Sequence, residues 1–418
     1  MKKMILVCLC ILLIAGACAV ESPNVQSGKV DYNPNPQYSP AELDQLAMAH
    51  NQFALDLYRL LAKDEENLVY SPYSLFQALM MIYAGAEGET ASQFEQVFHL
   101  TAKNPEVHAL MNALNRMLKE KNENLPEERR TTLKIANGVW LKQDYQLLDS
   151  YLNLLSEHYA AGLRSLDFAN AQKAADVINR WASENTHGKI EKIADPLMFN
   201  ANVVLALTNA VYFKGAWAQP FYEEATANES FTKADGSVVE VPTMHMLDQF
   251  YAVKTAEYQA VRLPYTSGGV VMEIISPAKG DLKDFTADLN AEKLNSLLSK
   301  LMAQSVNLSL PKFKLESPEM DMIESLQTLG LKDVFGMNAD LSGMNGSRDL
   351  YLSTLVQKAL INVDEAGTEA AAVTLAVVEE KGMFTPDPIQ LRFDRPFLFI
   401  LRDTTTGTIL FMGQVMQP

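Results

Sequence analysis

Helical periodicity crowds the first half of this chain and strand periodicity the second, with no regular alternation between them. A doubly wound parallel sheet needs that alternation, so an α+β arrangement is expected. The folded body opens at Ser39-Pro40-Ala41-Glu42, a capping box with proline at the first helical position. Behind it Leu43, Leu46, Ala47, His50, Phe53, Ala54, Leu57 and Leu61 recur at helical spacing and make one stripe. Ser71-Pro72 predicts a helix to Gly85, Thr90 with Gln93 the cap of another, and 149–159 and 170–187 two more. Strand-like runs cover 132–141, 203–213, 261–264, 270–276 and 306–315. After a helix at 320–329 come 359–363, 389–393, 397–402 and 408–415. No internal repeat or composition break follows residue 40, so 39–418 is expected to be one large domain.

The N-terminal segment has a different character. Lys2 and Lys3 precede an apolar stretch, Met4 to Ala15, that is too short to span a bilayer. Ala15-Gly16-Ala17-Cys18 resembles a bacterial lipoprotein signal, with residues 1–17 removed and Cys18 lipidated, although alanine stands at 15 where leucine is usual. Ordinary cleavage near Ala17, releasing a secreted protein, is the alternative. Residues 18–38 hold Pro, Asn, Ser and Gly without an apolar period and read as a tether. Cys8, Cys10 and Cys18 are the only cysteines. The body therefore has no internal disulfide and must rely on core burial. The expectation is a protein anchored by lipid to a bacterial cell envelope, in the outer membrane or on the surface.

Composition removes several functions. A hydrophobic content of 48% with 21% charged residues suits a globular protein. The net charge of −16 repels phosphates, which argues against nucleic acid and against electrostatic docking on anionic lipid. There is no Gly-x-Ser-x-Gly elbow, no His-Glu-x-x-His, no phosphate-cradling loop and no Cys/His metal spacing. His50, His99, His108, His158, His187 and His245 are scattered. No cofactor or metal is expected, and no residue is marked as catalytic. A hydrolase stays open as a rival that turnover assays would expose.

The segment from Asp364 to Gly382 is ambivalent. Residues 370–378 are uncharged and mostly small, without glycine or proline. The first half favours helix and the second half strand.

That segment also carries a resemblance. Lys358-Ala-Leu-Ile-Asn-Val-Asp-Glu365-Ala-Gly367-Thr-Glu-Ala-Ala-Ala372 resembles the hinge signature of serpins. Asp394-Arg-Pro-Phe-Leu-Phe399 and Leu410-Phe-Met-Gly-Gln-Val415 resemble the closing strands of that family. Asn67-Leu-Val-Tyr-Ser71-Pro-Tyr-Ser74, Ile178-Asn-Arg-Trp181 with Thr186-His-Gly-Lys-Ile190, Thr208-Asn209 through Trp217, and Leu310-Pro-Lys312-Phe313 resemble further blocks. The resemblance spans the body from about Asn51 onward. It implies the serpin fold: helices on a large central sheet, smaller sheets, and an exposed C-terminal reactive loop. It implies a protease inhibitor, not an enzyme, acting on serine or cysteine endopeptidases, and a monomer. In this family a protease cleaves the loop as an acyl-enzyme, and the cut loop inserts as a new strand of the sheet. A non-inhibitory member acting as a carrier or chaperone is the alternative.

The ambivalent run suits insertion. Thr368, Ala370, Ala372, Thr374, Ala376 and Val378 form an uncharged face, and Glu369 and Glu379 fall on the other. A permanently exposed run of this kind would invite aggregation. The resemblance places the hinge at Asp364, Glu365, Gly367, Thr368, Glu369, Ala370, Ala371 and Ala372. Counting from Gly367 places the cleaved bond at Lys381–Gly382, which suits a trypsin-like protease. From Gly367 to Pro396 the loop is about four residues longer than the common pattern, so Met383–Phe384 and Phe384–Thr385 remain alternatives, suited to broader proteases. Ser71, Ser74, Asn209 and Gln357 match the polar cluster under the opening sheet, with Gln357 where histidine is usual. Trp217 matches the aromatic at the loop entry, and Lys312 with Glu365 a pair at the loop base.

Overall fold

The computed structural model describes residues 23–62, 66–123, 125–126, 130–368 and 387–418. The Pro40–Leu61 helix begins with the expected capping box: the Ser39 hydroxyl accepts from the Glu42 amide, and the Glu42 carboxylate accepts from the Ser39 amide at 3.0 Å. The Pro72–Tyr83 helix buries every side chain except Gln77 and packs against the Pro40–Leu61 helix and the Ile409–Val415 strand. Such all-round burial matches its nearly continuous apolar sequence.

Two sheets make up the rest. An eight-stranded sheet runs in the order Val25–Gln26, Leu163–Leu166, Thr132–Lys142, Leu205–Ala216, Gly367–Thr368, Leu352–Val363 and Phe313–Glu316, with Met320–Asp321 also paired to the Leu352 strand. A nine-stranded sheet runs from Ile389–Arg392 through Met302–Pro311, Val238–Lys254, Tyr258–Pro264, Val270–Pro277, Phe397–Asp403 and Ile409–Val415 to Leu68–Tyr70, with Ala227–Thr232 beside the Val238 strand. The larger core lies between helices and sheets, and a second core packs the Ala171–Asn185 helix over the eight-stranded sheet. This is the α+β arrangement expected from the order of periodicities.

Three features depart from the sequence reading. Thr90 does not cap a helix: the Gly88–Val97 helix starts two residues earlier, and the Thr90 hydroxyl instead accepts from the Asp340 amide at 2.9 Å. The Glu106–Glu123 helix and the Val238–Lys254 strand were not foreseen, because the first turns charged in its second half and Pro242 interrupts the second. The described part of the supposed tether is docked on the body. Val25 and Gln26 pair antiparallel with Arg164 and Leu163 at the sheet edge. The Gln26 amide donates to the Tyr145 carbonyl at 2.8 Å and accepts from the Leu147 amide, and the Asn33 amide donates to the Glu157 carbonyl at 2.9 Å. The segment lacks apolar periodicity because side-chain and backbone hydrogen bonds, not an apolar stripe, hold it. Cys18 and the proposed cleavage site lie outside the described residues.

Candidate functional site: the sheet seam and the loop entry

The eight-stranded sheet contains a seam. Leu205–Ala216 and Leu352–Val363 run parallel and pair directly from Leu205↔Leu352 to Tyr212↔Leu360. Their outer neighbours, Thr132–Lys142 and Phe313–Glu316, are antiparallel to them. A strand entering the seam in the opposite sense would replace one parallel pairing by two antiparallel ones, the slightly more stable kind.

The entry is already made at one end. Beyond Tyr212 the seam strands part, and Gly367 and Thr368 lie between them: Thr368 pairs with Gly215 on one side and Val363 on the other, antiparallel to both. Only glycine fits at 367. Its φ is +150°, and a Cβ there would sit 2.2 Å from the Gly215 carbonyl oxygen. Thr368 is fully buried, its hydroxyl 2.7 Å from the Tyr265 hydroxyl, and Tyr265 stacks on Trp217 with ring centres 4.5 Å apart. Burial pushes the Tyr265 phenol well above its ordinary range. Trp217 binds the hinge from both its nitrogens: the amide donates to the Ala366 carbonyl and the indole to the Asp364 carbonyl, each at 3.0 Å.

A tight turn at Asp364–Gly367 sends the chain back into the sheet. The Asp364 carboxylate accepts from the Ala366 and Gly367 amides, yet burial raises its pKa overall. Glu365 is buried too, but there the hydrogen bonds prevail. Burial pushes its pKa up, and the Lys312 ammonium and Thr226 hydroxyl, each 2.7 Å away, draw it below the ordinary value.

A polar cluster sits midway along the seam. Gln357 holds the first turn of the Pro72–Tyr83 helix, accepting from the Ser71 amide at 2.9 Å and donating to the Ser71 carbonyl at 3.0 Å. It also donates across the seam to the Asn209 side-chain oxygen, Oδ1, at 2.5 Å. The Asn209 amide donates to Ser74 and Asn137, and Asn137 donates to Gln77 at 3.1 Å. Above and below this cluster the same face is apolar, with Val211 beside Ala359 and Leu207 beside Leu355.

The chain as a whole has known relatives. The model of the family described as "Serpin (serine protease inhibitor)" matches residues 48–418. The chain belongs to the serpin family. A serpin-like protein of Thermococcus kodakarensis is 32% identical, covering 100% of this chain and 99% of its own. The human leukocyte elastase inhibitor is 34% identical over 90% of this chain and 100% of its own. The native-state structure of the thermophilic serpin Tengpin superposes with a TM-score of 0.82 at 26% identity, covering 93% of this chain and 98% of that one. The fold is the serpin fold. Members of this family are typically protease inhibitors and not enzymes.

Among the residues expected from the sequence, the structure gathers Ser71, Ser74, Asn209 and Gln357 into one cluster. It gathers Trp217, Lys312, Asp364, Glu365, Gly367 and Thr368 at the loop entry. Glu369, Ala370, Ala371, Ala372, Lys381, Gly382, Met383, Phe384 and Thr385 lie outside the described residues. Asn137, Gln77, Tyr265 and Thr226 escaped sequence reasoning. Each sits in an ordinary strand or loop context, and only tertiary contact reveals its part. Among the described residues no His/Cys/Asp/Glu group is arranged to hold a metal, and no helix is long and apolar enough to cross a membrane.

Proposed function

We propose that this serpin traps endopeptidases as acyl-enzymes by inserting its cleaved loop into the seam. The observation that carries the reading is the position of Gly367 and Thr368, paired antiparallel to both seam strands at the mouth of the seam. If the register of Thr368 with Gly215 continues residue by residue, Val378 reaches Leu205, where that strand begins. The register with Val363 brings Val378 beside Ser353, at the start of the other strand. The seam thus takes an insert ending near Val378, about 33 Å from Thr368 at about 3.3 Å per residue. Lys381–Gly382 falls just beyond that end, which favours it over Met383, Phe384 and Thr385. Cleavage there leaves the shortest link between inserted strand and bound protease and suits a trypsin-like target.

The seam also accounts for the apolar character of both faces of the run. Thr368 and its even-numbered successors would face the main core. Val373, Leu375 and Val377 would fall on the side of Ala206, Ala210 and Val356, which the Ala171–Asn185 helix covers.

Mixing the protein with trypsin, subtilisin, elastase and papain tests the reading. An SDS-stable complex with trypsin is expected, and the released C-terminal fragment should begin at Gly382. Cleavage without complex for all four proteases would overturn inhibition. We further propose that Cys18 is lipidated and holds the protein at the cell envelope. The wild type should then enter the detergent phase on partitioning and Cys18→Ser the aqueous phase. Aqueous partitioning of both would refute anchoring.

A further inference from the structure

We infer that the outer edge of the Thr132–Lys142 strand is a docking site for an extended peptide, which adds there as a further strand and places a carboxylate on Arg164. This edge faces away from the seam, and the inference does not depend on loop insertion.

Most of that strand has a neighbour on one side only. Thr132 to Leu141 pair with Lys214 to Leu205, but on the other side the Leu163–Leu166 strand reaches only Trp140, Leu141 and Lys142. The phase of the hydrogen bonds tells which backbone groups are left. In an antiparallel pair a residue turns its N–H and its C=O to the same side, and the next residue turns them the other way. The Lys142 amide donates to the Val204 carbonyl and the Gln143 amide to the Leu166 carbonyl, each at 2.9 Å. Even-numbered residues therefore bond to the Leu205–Ala216 strand, and Leu133, Ile135 and Asn137 turn their amides and carbonyls outward. None of these outward groups meets a partner among the described residues. Backbone groups in a folded sheet are almost always paired, and an open row of this kind is a template for one more strand.

There is room for it. Two cavities run along the edge and meet at Ile135: one of about 720 Å³ reaches Leu133, and one of about 600 Å³ reaches Asn137 and Val139. From Leu133 to Val139 the edge is about 20 Å long.

A charge in the second cavity says what the newcomer carries. Arg164 lines it, with its guanidinium carbon 5.7 Å from the ring centre of Trp140 and 5.6 Å from that of Trp181. It has no carboxylate partner among the described residues, and Asp31 on the wall of the same cavity makes no ion pair with it. Burial lowers the pKa of this guanidinium, which stays charged all the same. A half-desolvated planar cation is a fork for a carboxylate. The two faces of the strand then set the pattern of the ligand. Leu133 and Ile135 pack on the main core, whereas Ala136 and Trp140 belong to the second core, on the side of Arg164 and Trp181. An added strand alternates in the same way, so it should hold apolar residues at every second position and an acidic one between them.

Two measurements test this. In the protein alone, residue-resolved hydrogen exchange should be fast at Leu133, Ile135 and Asn137 and slow at Lys134, Ala136 and Gly138. The probe for the second is the blocked peptide acetyl-Val-Thr-Val-Glu-Val-Thr-amide, with binding read by calorimetry. It should slow exchange at the three fast amides. Glutamine in place of its glutamate should weaken binding about 10-fold. Arg164→Gln should weaken the glutamate peptide to that same level and leave the glutamine peptide unchanged. Of two peptides N-methylated at alternate amides, one should bind and the other should not. Uniformly slow exchange in the protein alone, equal binding of the glutamate and glutamine peptides to the wild type, tolerance of both methylation patterns, or no binding of any peptide would overturn the inference. Protection confined to the Leu205–Ala216 and Leu352–Val363 strands would put the peptide in the seam and overturn it as well.

Discussion

On the proposed insertion mechanism, Thr368→Arg should leave a protease substrate that no longer traps. Thr368 is fully buried between the parted seam strands, with its hydroxyl on Tyr265 and the Trp217 ring behind. Lys312 already engages the nearby Glu365 carboxylate at 2.7 Å. Forcing a guanidinium into this position buries a charge without a dedicated partner, at a cost of several kcal/mol after relaxation. A penalty of about 4 kcal/mol slows insertion about 1000-fold if it is felt at the barrier. The acyl-enzyme then hydrolyses before the strand enters. Circular dichroism of the variant should match the wild type, because only the two-residue Gly367–Thr368 strand need leave the sheet of the uncut protein. Incubation with trypsin should yield the same C-terminal fragment but no SDS-stable complex. Thr368→Val, which loses only the hydroxyl contact, should cost about 1–2 kcal/mol and keep partial trapping. Full complex formation by Thr368→Arg would show that trapping does not need residue 368 buried in the sheet, and the hinge assignment would fall.

Other substitutions probe the frame. Gln357→His should make trapping rates pH-dependent between about pH 5 and 7, because a histidine buried in the seam is neutral only above its pKa; a flat profile in the variant would mean that the seam bond does not limit opening. Glu273 is fully buried and receives Arg262 at 2.6 Å and Arg402 at 3.0 Å. Glu273→Gln leaves two arginines facing each other and should lower unfolding stability by about 3 kcal/mol, read from the denaturant midpoint. Burial lowers the pKa of His50 to about 4 and that of His108 to about 3. The unfolded chain therefore binds more protons below pH 6.5, so stability should be level above that pH and fall as pH drops toward 4. The slope is at most about 1.4 kcal/mol per pH unit for each histidine. Replacing either with a well-packed neutral residue should flatten the acid limb of the melting curve, and an unchanged limb would assign acid unfolding to other groups.

Much of the frame was legible in the sequence where local physics decides it. The capping box at Ser39, the proline start at Pro72 and the helix at 149–159 depend on near neighbours in the chain, and all three are found. The polar residues of the seam were legible only through the resemblance. Asn209 and Gln357 are 148 residues apart, and no local pattern joins them. Tyr265 and Thr226 carried no signal at all. The docking of residues 24–33 was hidden for a related reason: its partners, Tyr145, Leu147 and Glu157, lie more than a hundred residues downstream.

The chain by itself determined that its body has no disulfide, that its helices come early and its strands late, and that one uncharged run near its end can be either helix or strand. These are properties of composition and of short-range periodicity. Only the tertiary structure decided where the residue that leads into that run lies. Strand registers are set by contacts between distant segments, and they place Thr368 in the mouth of a parallel seam, in line with an amide pair six residues further in.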